Sequence, residues 1–247
     1  MSYLLLFFSS FALFGLSFVL SLYRERRSRL FHRIALLPAV LGSGATLLVM
    51  VLESGHLPTH FLFERFVELS LGAALLLWLL SFVQDTRRVT PYILGMILCL
   101  FSVSLFFPKE LTPPIFRFSL LTAQLFFQLE VLAFVLILFS AANYLLCLVE
   151  RGRLPEERTH MQSGRRYLLV GFTAFLASQF FGSIWSLQGW GDYWMWGKMS
   201  FMGVVVWFYL MFIIHIRYAH RLGRLFEAGV GSSLFPLILV YRMAWQP

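Results

Sequence analysis

The chain has 247 residues, of which 59% are hydrophobic and 13% are charged, and its mean hydropathy is +0.77. A soluble domain has about a quarter charged residues and could not cover 28 phenylalanines, so the composition indicates a membrane protein. The net charge is +8, but the basic residues form short clusters between apolar runs, which is typical of membrane orientation and argues against nucleic-acid binding.

Eight apolar runs are long enough to predict transmembrane helices. The fifth is too long to lie only within the bilayer, so we expect it to project or tilt. The eighth contains Glu227 and Pro236, so a broken or interfacial helix stays open there. The sequence predicts an all-α polytopic bundle of about eight helices that forms a single transmembrane domain over 1–247. In chain order, the runs are Tyr3 to Tyr23, Ile34 to Leu52, Phe61 to Val83, Val89 to Phe107, Phe118 to Val149, Tyr167 to Leu187, Met199 to Ile216 and Leu225 to Tyr241.

The basic residues divide the connecting segments into two sets. Fifteen arginines lie in alternate segments, including the polar linker Glu150 to Arg166, and the positive-inside rule places these segments in the cytoplasm. The N-terminus is then predicted to lie outside, and no basic residue precedes the first run, which argues against a cleaved signal peptide. Only five basic residues fall on the outer side: Arg65, Lys109, Arg117, Lys198 and Arg242.

Several polar residues lie inside the apolar runs. Unpaired polar groups are costly in a bilayer, so we expect these side chains to face the bundle interior and to hydrogen-bond between helices. They are Gln124, Gln128, Glu130, Asn143 and Gln179.

Fifteen residues from Gly182 to Trp196 contain four tryptophans and a tyrosine at a predicted membrane–water boundary. An aromatic belt, in which indoles lie at headgroup depth, is one interpretation. Belt tryptophans are usually spread over several helix ends, whereas these fall in one predicted outer loop, 182–200, that also contains several glycines. Such a loop can offer aromatic faces to a flat apolar macrocycle.

His215 lies near the cytoplasmic end of the helix that follows this loop. An imidazole binds haem iron through one ring nitrogen while the other donates a hydrogen bond. For a lone histidine, an interfacial side chain beside Arg217 is the simpler interpretation. The two cysteines, Cys99 and Cys147, form no Cys-x-x-Cys-His motif, which excludes a c-type cytochrome.

The stretch from Gly171 to Arg217 resembles the cytochrome c assembly family, haem-handling membrane proteins of the CcsA, ResC, HemX and CcmC types. A second segment, Glu53 to Glu64 with His56, resembles the family's segment after its second helix. The family signature runs Gly-Phe, Gly-x-x-Trp, Trp-Gly-x-Tyr-Trp-x-Trp-Asp-Pro-Lys-Glu and Leu-His-x-Arg. The chain matches it at Gly171, Phe172, Gly182, Trp185, Trp190, Gly191, Tyr193, Trp194, Trp196, Trp207, His215 and Arg217.

The resemblance implies a non-enzymatic, haem-binding and haem-transporting component of c-type cytochrome biogenesis in the inner (cytoplasmic) membrane. It implies that haem b is held transiently, with His215 as a haem-iron axial ligand in the membrane. Its implied partners are haem, membrane lipid, apocytochrome c and a CcsB- or ResB-like protein. The implied outer haem platform consists of Trp185, Trp190, Tyr193, Trp194 and Trp196.

The chain departs from the family pattern at the outer axial ligands. The family's Asp-Pro-Lys-Glu is replaced by Gly197 to Ser200, and neither outer histidine has a counterpart: the first position falls at Ala123 or Gln124. Either His56 or His60 supplies a ligand instead, or the chain passes haem to a partner or keeps only the fold. Two other functions therefore stay open, a HemX-type protein that affects haem biosynthesis and a non-haem structural subunit of a respiratory membrane complex.

Overall fold

The computed structural model describes residues 2–22, 29–55, 57, 61–109, 120–150, 154–194, 198–216, 218 and 223–244. Within these ranges the chain forms nine α-helices and no strand. The predicted all-α class is confirmed, and six segments are long and apolar enough to cross a membrane, so the chain is a multi-pass membrane protein. The helices are α1 Ser2–Leu22, α2 Arg29–Ser54, α3 Leu62–Val83, α4 Thr90–Ser104, α5 Leu121–Val149, α6 Leu154–Trp190, α7 Lys198–Ile216, α8 Arg224–Ser232 and α9 Leu234–Ala244.

These helices form two compact units, Met1–Ile115 with α1 to α4 and Phe116–Pro247 with α5 to α9. The single domain over 1–247 stays a prediction. In the first unit, buried phenylalanines from three helices share one core: the ring centroid of Phe7 lies 5.0 Å from Phe63 and 5.2 Å from Phe101, and Phe14 lies 5.3 Å from Phe101. Lipid tails are as apolar as these rings, so no hydrophobic force drives the helices together. The close packing of the aromatic rings holds the helices against one another instead.

The turn between α3 and α4 is polar and exposed. Arg87 Nε and Nη2 donate to the carboxylate of Asp85 at 2.9 and 2.7 Å. The hydrogen bond and the charge of Asp85 raise the pKa of Arg87. A fixed positive charge therefore lies at this end of the first unit, in a segment that the arginine pattern predicts to be cytoplasmic.

In the second unit, α6 packs along α5 through glycines. A Cβ at Gly171 would lie 3.0 Å from Ile137 Cγ1 and 3.2 Å from the carbonyl oxygen of Ala133. A Cβ at Gly164 would lie 3.3 Å from the ring of Tyr144. Small residues at these positions let the two helix backbones approach closely, which is the usual way helices associate in a bilayer.

One predicted helix boundary is wrong, and one alternative that the sequence left open is resolved. The predicted linker Glu150 to Arg166 is helical from Leu154, because its polar residues are compatible with helix and Pro155 lies in the first turn, where a missing N–H costs nothing. The predicted last helix is broken at Ser233 into α8 and α9, as the glycines and Pro236 allowed.

We expect Gly231→Ala to destabilise the second unit. A Cβ there would lie 2.3 Å from Cδ2 of Tyr144, a fully buried ring, so the ring or α8 must shift at a cost of about 1–3 kcal/mol. Thermal unfolding of the purified protein, followed by tryptophan fluorescence, should show a lower midpoint. Gly229→Ala on the same helix is the matched control, since no atom lies within 4 Å of its new Cβ. Equal midpoints for the two variants would contradict this packing.

Candidate functional site

Trp185 is buried at the end of α6 and is held by aromatic residues of α5. Its ring stacks on Phe126 with centroids 5.8 Å apart and meets Phe127 edge-on at 5.5 Å. Only 3% of Trp185 is exposed. This tryptophan is therefore a packed support rather than an exposed face.

Three more aromatic residues follow it toward the surface. The ring of Trp190 meets Trp185 edge-on at 5.2 Å and is 40% exposed, while Tyr193 and Trp194 are 60% and 37% exposed. We call Trp185, Trp190, Tyr193 and Trp194 the tryptophan end of the second unit. It combines a buried indole with exposed aromatic faces.

The predicted loop 182–200 is too long at its start, because α6 continues to Trp190. Gly182, predicted as a loop glycine, lies within the helix, where a Cβ would be 2.8 Å from Cδ2 of Phe126. Gly191 ends the helix: its φ is +80°, which favours glycine, and its N–H donates to the carbonyl of Leu187 at 2.9 Å. Trp185 and Trp190 thus lie on the last turns of α6, and Tyr193 and Trp194 follow in the loop after it.

His215 lies at the other end of α7. From Lys198 to His215 the helix rises by about 26 Å, so the imidazole lies far along α7 from the residue at which that helix begins. The side chain is exposed, and Nδ1 lies 2.8 Å from the carbonyl oxygen of Met211. Because a carbonyl only accepts, Nδ1 carries the proton and Nε2 faces away with its lone pair in the neutral ring.

The structure brings together four of the seven predicted site residues, those of the tryptophan end, and places His215 apart from them. Trp196 and His56 lie outside the described residues, as does His60. Within the part of the chain that the structure describes, no three histidine, cysteine or acidic side chains are grouped so that they could hold a metal ion.

A buried charged cluster was missed by the sequence analysis. Arg242, predicted to be an outer-side basic residue, is 1% exposed and lies 3.0 Å from the carboxylate of Glu130. Tyr241 donates to the same carboxylate at 2.6 Å. The expected inward orientation is confirmed for Glu130 and Asn143, both buried, and is wrong for Gln128, which is exposed.

A second ion pair, of the half-buried Arg165 with the buried Glu227, joins α6 to α8. Arg165 Nε and Nη2 donate to Glu227 at 2.6 Å each, and the hydroxyl of Tyr144 lies 3.5 Å from that carboxylate. These groups line a small, partly open pocket together with Leu168, Leu169, Ile213 and Ile214. His215 is not among the residues that line it.

Sequence similarity to known proteins covers part of the chain. Over 98 residues, 40% of this chain, it is 24% identical to cytochrome c biogenesis protein CcsA of Cyanidium caldarium, and over 77 residues, 31% of this chain, it is 27% identical to cytochrome c biogenesis protein CcsA of Phaseolus vulgaris. These matches span 32% and 24% of the length of the relatives. No family model matches the chain.

We expect Trp185→Ala and Trp190→Ala to differ in stability. Removing the buried Trp185 leaves a cavity against Phe126 and Phe127 and should cost about 3–5 kcal/mol. Trp190 is partly exposed, so its removal should cost much less. Thermal unfolding midpoints of the two variants measure the difference. Similar losses would show that Trp185 is not the packed support.

Proposed function

We propose that this chain is a haem-handling membrane component of c-type cytochrome biogenesis. The observation that carries the proposal is the tryptophan end, where exposed aromatic faces rest on a buried indole in a sequence that resembles the cytochrome c assembly family. The partial similarity to two proteins named cytochrome c biogenesis protein CcsA supports the same role. On this proposal the chain lies in the inner membrane and handles haem without altering it.

The exposed rings of the tryptophan end suit a porphyrin. Indole and phenol faces shield a flat apolar macrocycle from water, and an edge-on neighbour holds the contacting ring in place. Trp190, Tyr193 and Trp194 are the contacting residues, and Trp185 positions Trp190. Trp196 and His56, which lie outside the described residues, stay further candidate haem-binding residues in the proposal.

His215 suits an axial ligand in a separate, inner site. Haem supplies an iron that accepts a lone pair from an imidazole nitrogen. The hydrogen bond from Nδ1 to the carbonyl of Met211 fixes the tautomer and the ring orientation, and it leaves Nε2 available. Since His215 lies about 26 Å along α7 from Lys198, which follows the tryptophan end in the chain, the two places hold haem at different stages or depths in the proposal.

The packing of Trp185 favours one alternative, a structural subunit that retains the aromatic residues for stability. That protein would take up no haem. A HemX-type protein differs in cells, where its deletion would lower haem synthesis as a whole rather than c-type cytochromes alone.

We expect Trp190→Ala to weaken haem binding without unfolding the protein. Titration of the purified protein in lipid nanodiscs with iron-protoporphyrin IX, followed at the Soret band, should give a dissociation constant roughly tenfold higher, the loss of one stacked ring contact. Phe180→Ala is the matched control, an exposed aromatic residue on the same helix that is 62% exposed. If the wild-type protein binds no haem in this titration, the proposed function is wrong, and the structural subunit is favoured.

We expect His215→Ala to remove or shift the Soret band of haem bound in the inner site, because the iron loses its nitrogen ligand. Added imidazole should restore the band. His160→Ala is the control, since His160 is hydrogen-bonded to Asn143 at 3.3 Å and has no proposed role. An unchanged spectrum would show that His215 is not an iron ligand, and it would not bear on the proposed haem contacts of the tryptophan end.

A further inference from the structure

The guanidinium of Arg242 is buried with only part of its hydrogen-bonding capacity used. Its Nη1 lies 3.0 Å from Oε2 of Glu130, and its Cζ lies 5.0 Å from the ring centroid of Phe134. Only 1% of the arginine side chain is exposed. Its Nε and Nη2 are both buried, and neither donates a hydrogen bond to any of the described residues.

Nε and Nη2 form one edge of the guanidinium, and two other arginines of this chain bind carboxylates through that edge. Arg87 holds Asp85, and Arg165 holds Glu227, through Nε and Nη2 together. Two parallel N–H groups match the two oxygens of a carboxylate, which makes this the strongest arginine–carboxylate geometry. Arg242 pairs with Glu130 through Nη1 instead, and its Nε and Nη2 have no acceptor among the described residues.

The Nε–Nη2 edge of Arg242 lies close to the tryptophan end along α5. Phe126, Glu130 and Phe134 are four residues apart on α5 and therefore share one face of the helix. Trp185 stacks on Phe126, and Arg242 contacts Glu130 and Phe134. The arginine is thus about one to two helical turns, or roughly 6–12 Å, from the aromatic rings along α5.

The geometry points to the Nε–Nη2 edge of Arg242 as a binding site for a carboxylate carried by an apolar ligand that lies against the tryptophan end. Buried N–H groups without an acceptor are unfavourable, so a carboxylate at this edge would complete the hydrogen bonds of Arg242. The two sources of such a group are a porphyrin propionate and a fatty acid. The porphyrin case rests on the proposed function, whereas the fatty-acid case does not.

The test compares each acid with its ester on the full-length protein in nanodiscs. The first pair is iron-protoporphyrin IX and its dimethyl ester, and the second is oleate and methyl oleate, all followed by tryptophan fluorescence. A charged hydrogen-bonded contact predicts that the acid of one pair binds roughly tenfold tighter than its ester. The wild-type comparison needs no variant to fold.

Variants assign that difference to the arginine. Arg242→Gln should remove the preference for the acid, while Glu130→Gln should increase it because the cation loses its internal counter-charge. Arg87→Gln, in the exposed turn of the first unit, is the control and should leave the preference unchanged.

The outcomes separate this proposal from haem handling. Equal binding of acid and ester in both pairs, or an acid preference that survives Arg242→Gln, overturns the carboxylate site. If neither porphyrin binds, the haem proposal fails by itself, and the oleate pair alone then supports or overturns the site. A porphyrin that binds equally well as its ester leaves haem handling standing without Arg242.

Discussion

The close approach of α5 and α6 positions the rest of the candidate site. Gly164, Gly171 and Gly182 are seven and eleven residues apart, spacings near two and three helical turns, so they lie on one face of α6. Each allows an α5 residue to reach the α6 backbone. The contact at Gly182 brings Phe126 against the helix, and Trp185, one turn later, stacks on that ring. The exposed indole of Trp190 in turn depends on Trp185.

The sequence could predict that the helices exist, but not every residue at which they begin and end. Hydropathy measures transfer into lipid, and it predicted Phe61 to Val83 closely, since α3 runs Leu62–Val83. It could not predict that α6 continues through a polar segment at one end and to Trp190 at the other, because a helix needs backbone hydrogen bonds rather than apolar side chains. The spacing of Gly164, Gly171 and Gly182 could have predicted that Gly182 lies on the same helix face as the other two glycines. Its partner, Phe126, was not visible in the sequence.

The burial of charged side chains also could not be predicted from the sequence. Arg65 and Arg242 were predicted as outer-side basic residues, yet each is 1% exposed within its own unit. A single sequence shows where a charge lies along the chain, and it does not show a partner such as Glu130, more than a hundred residues from Arg242. Without these two arginines the outer side has three basic residues against fifteen, so the predicted orientation gains support.

The arrangement of aromatic, cationic and imidazole groups bears on how haem would be held. Of the two histidines whose side chains are described in the second unit, His215 lies at the far end of α7, and His160 lies near Asn143 toward the other end of α5. At the tryptophan end, the described residues therefore offer ring faces, and the carboxylate site proposed on Arg242 lies near them; both would suit the macrocycle and its carboxylates rather than its iron. Haem bound in this way would keep its iron free for a ligand from an acceptor protein. That is the property a transient carrier requires, because release then breaks stacking and hydrogen bonds and no metal–ligand bond.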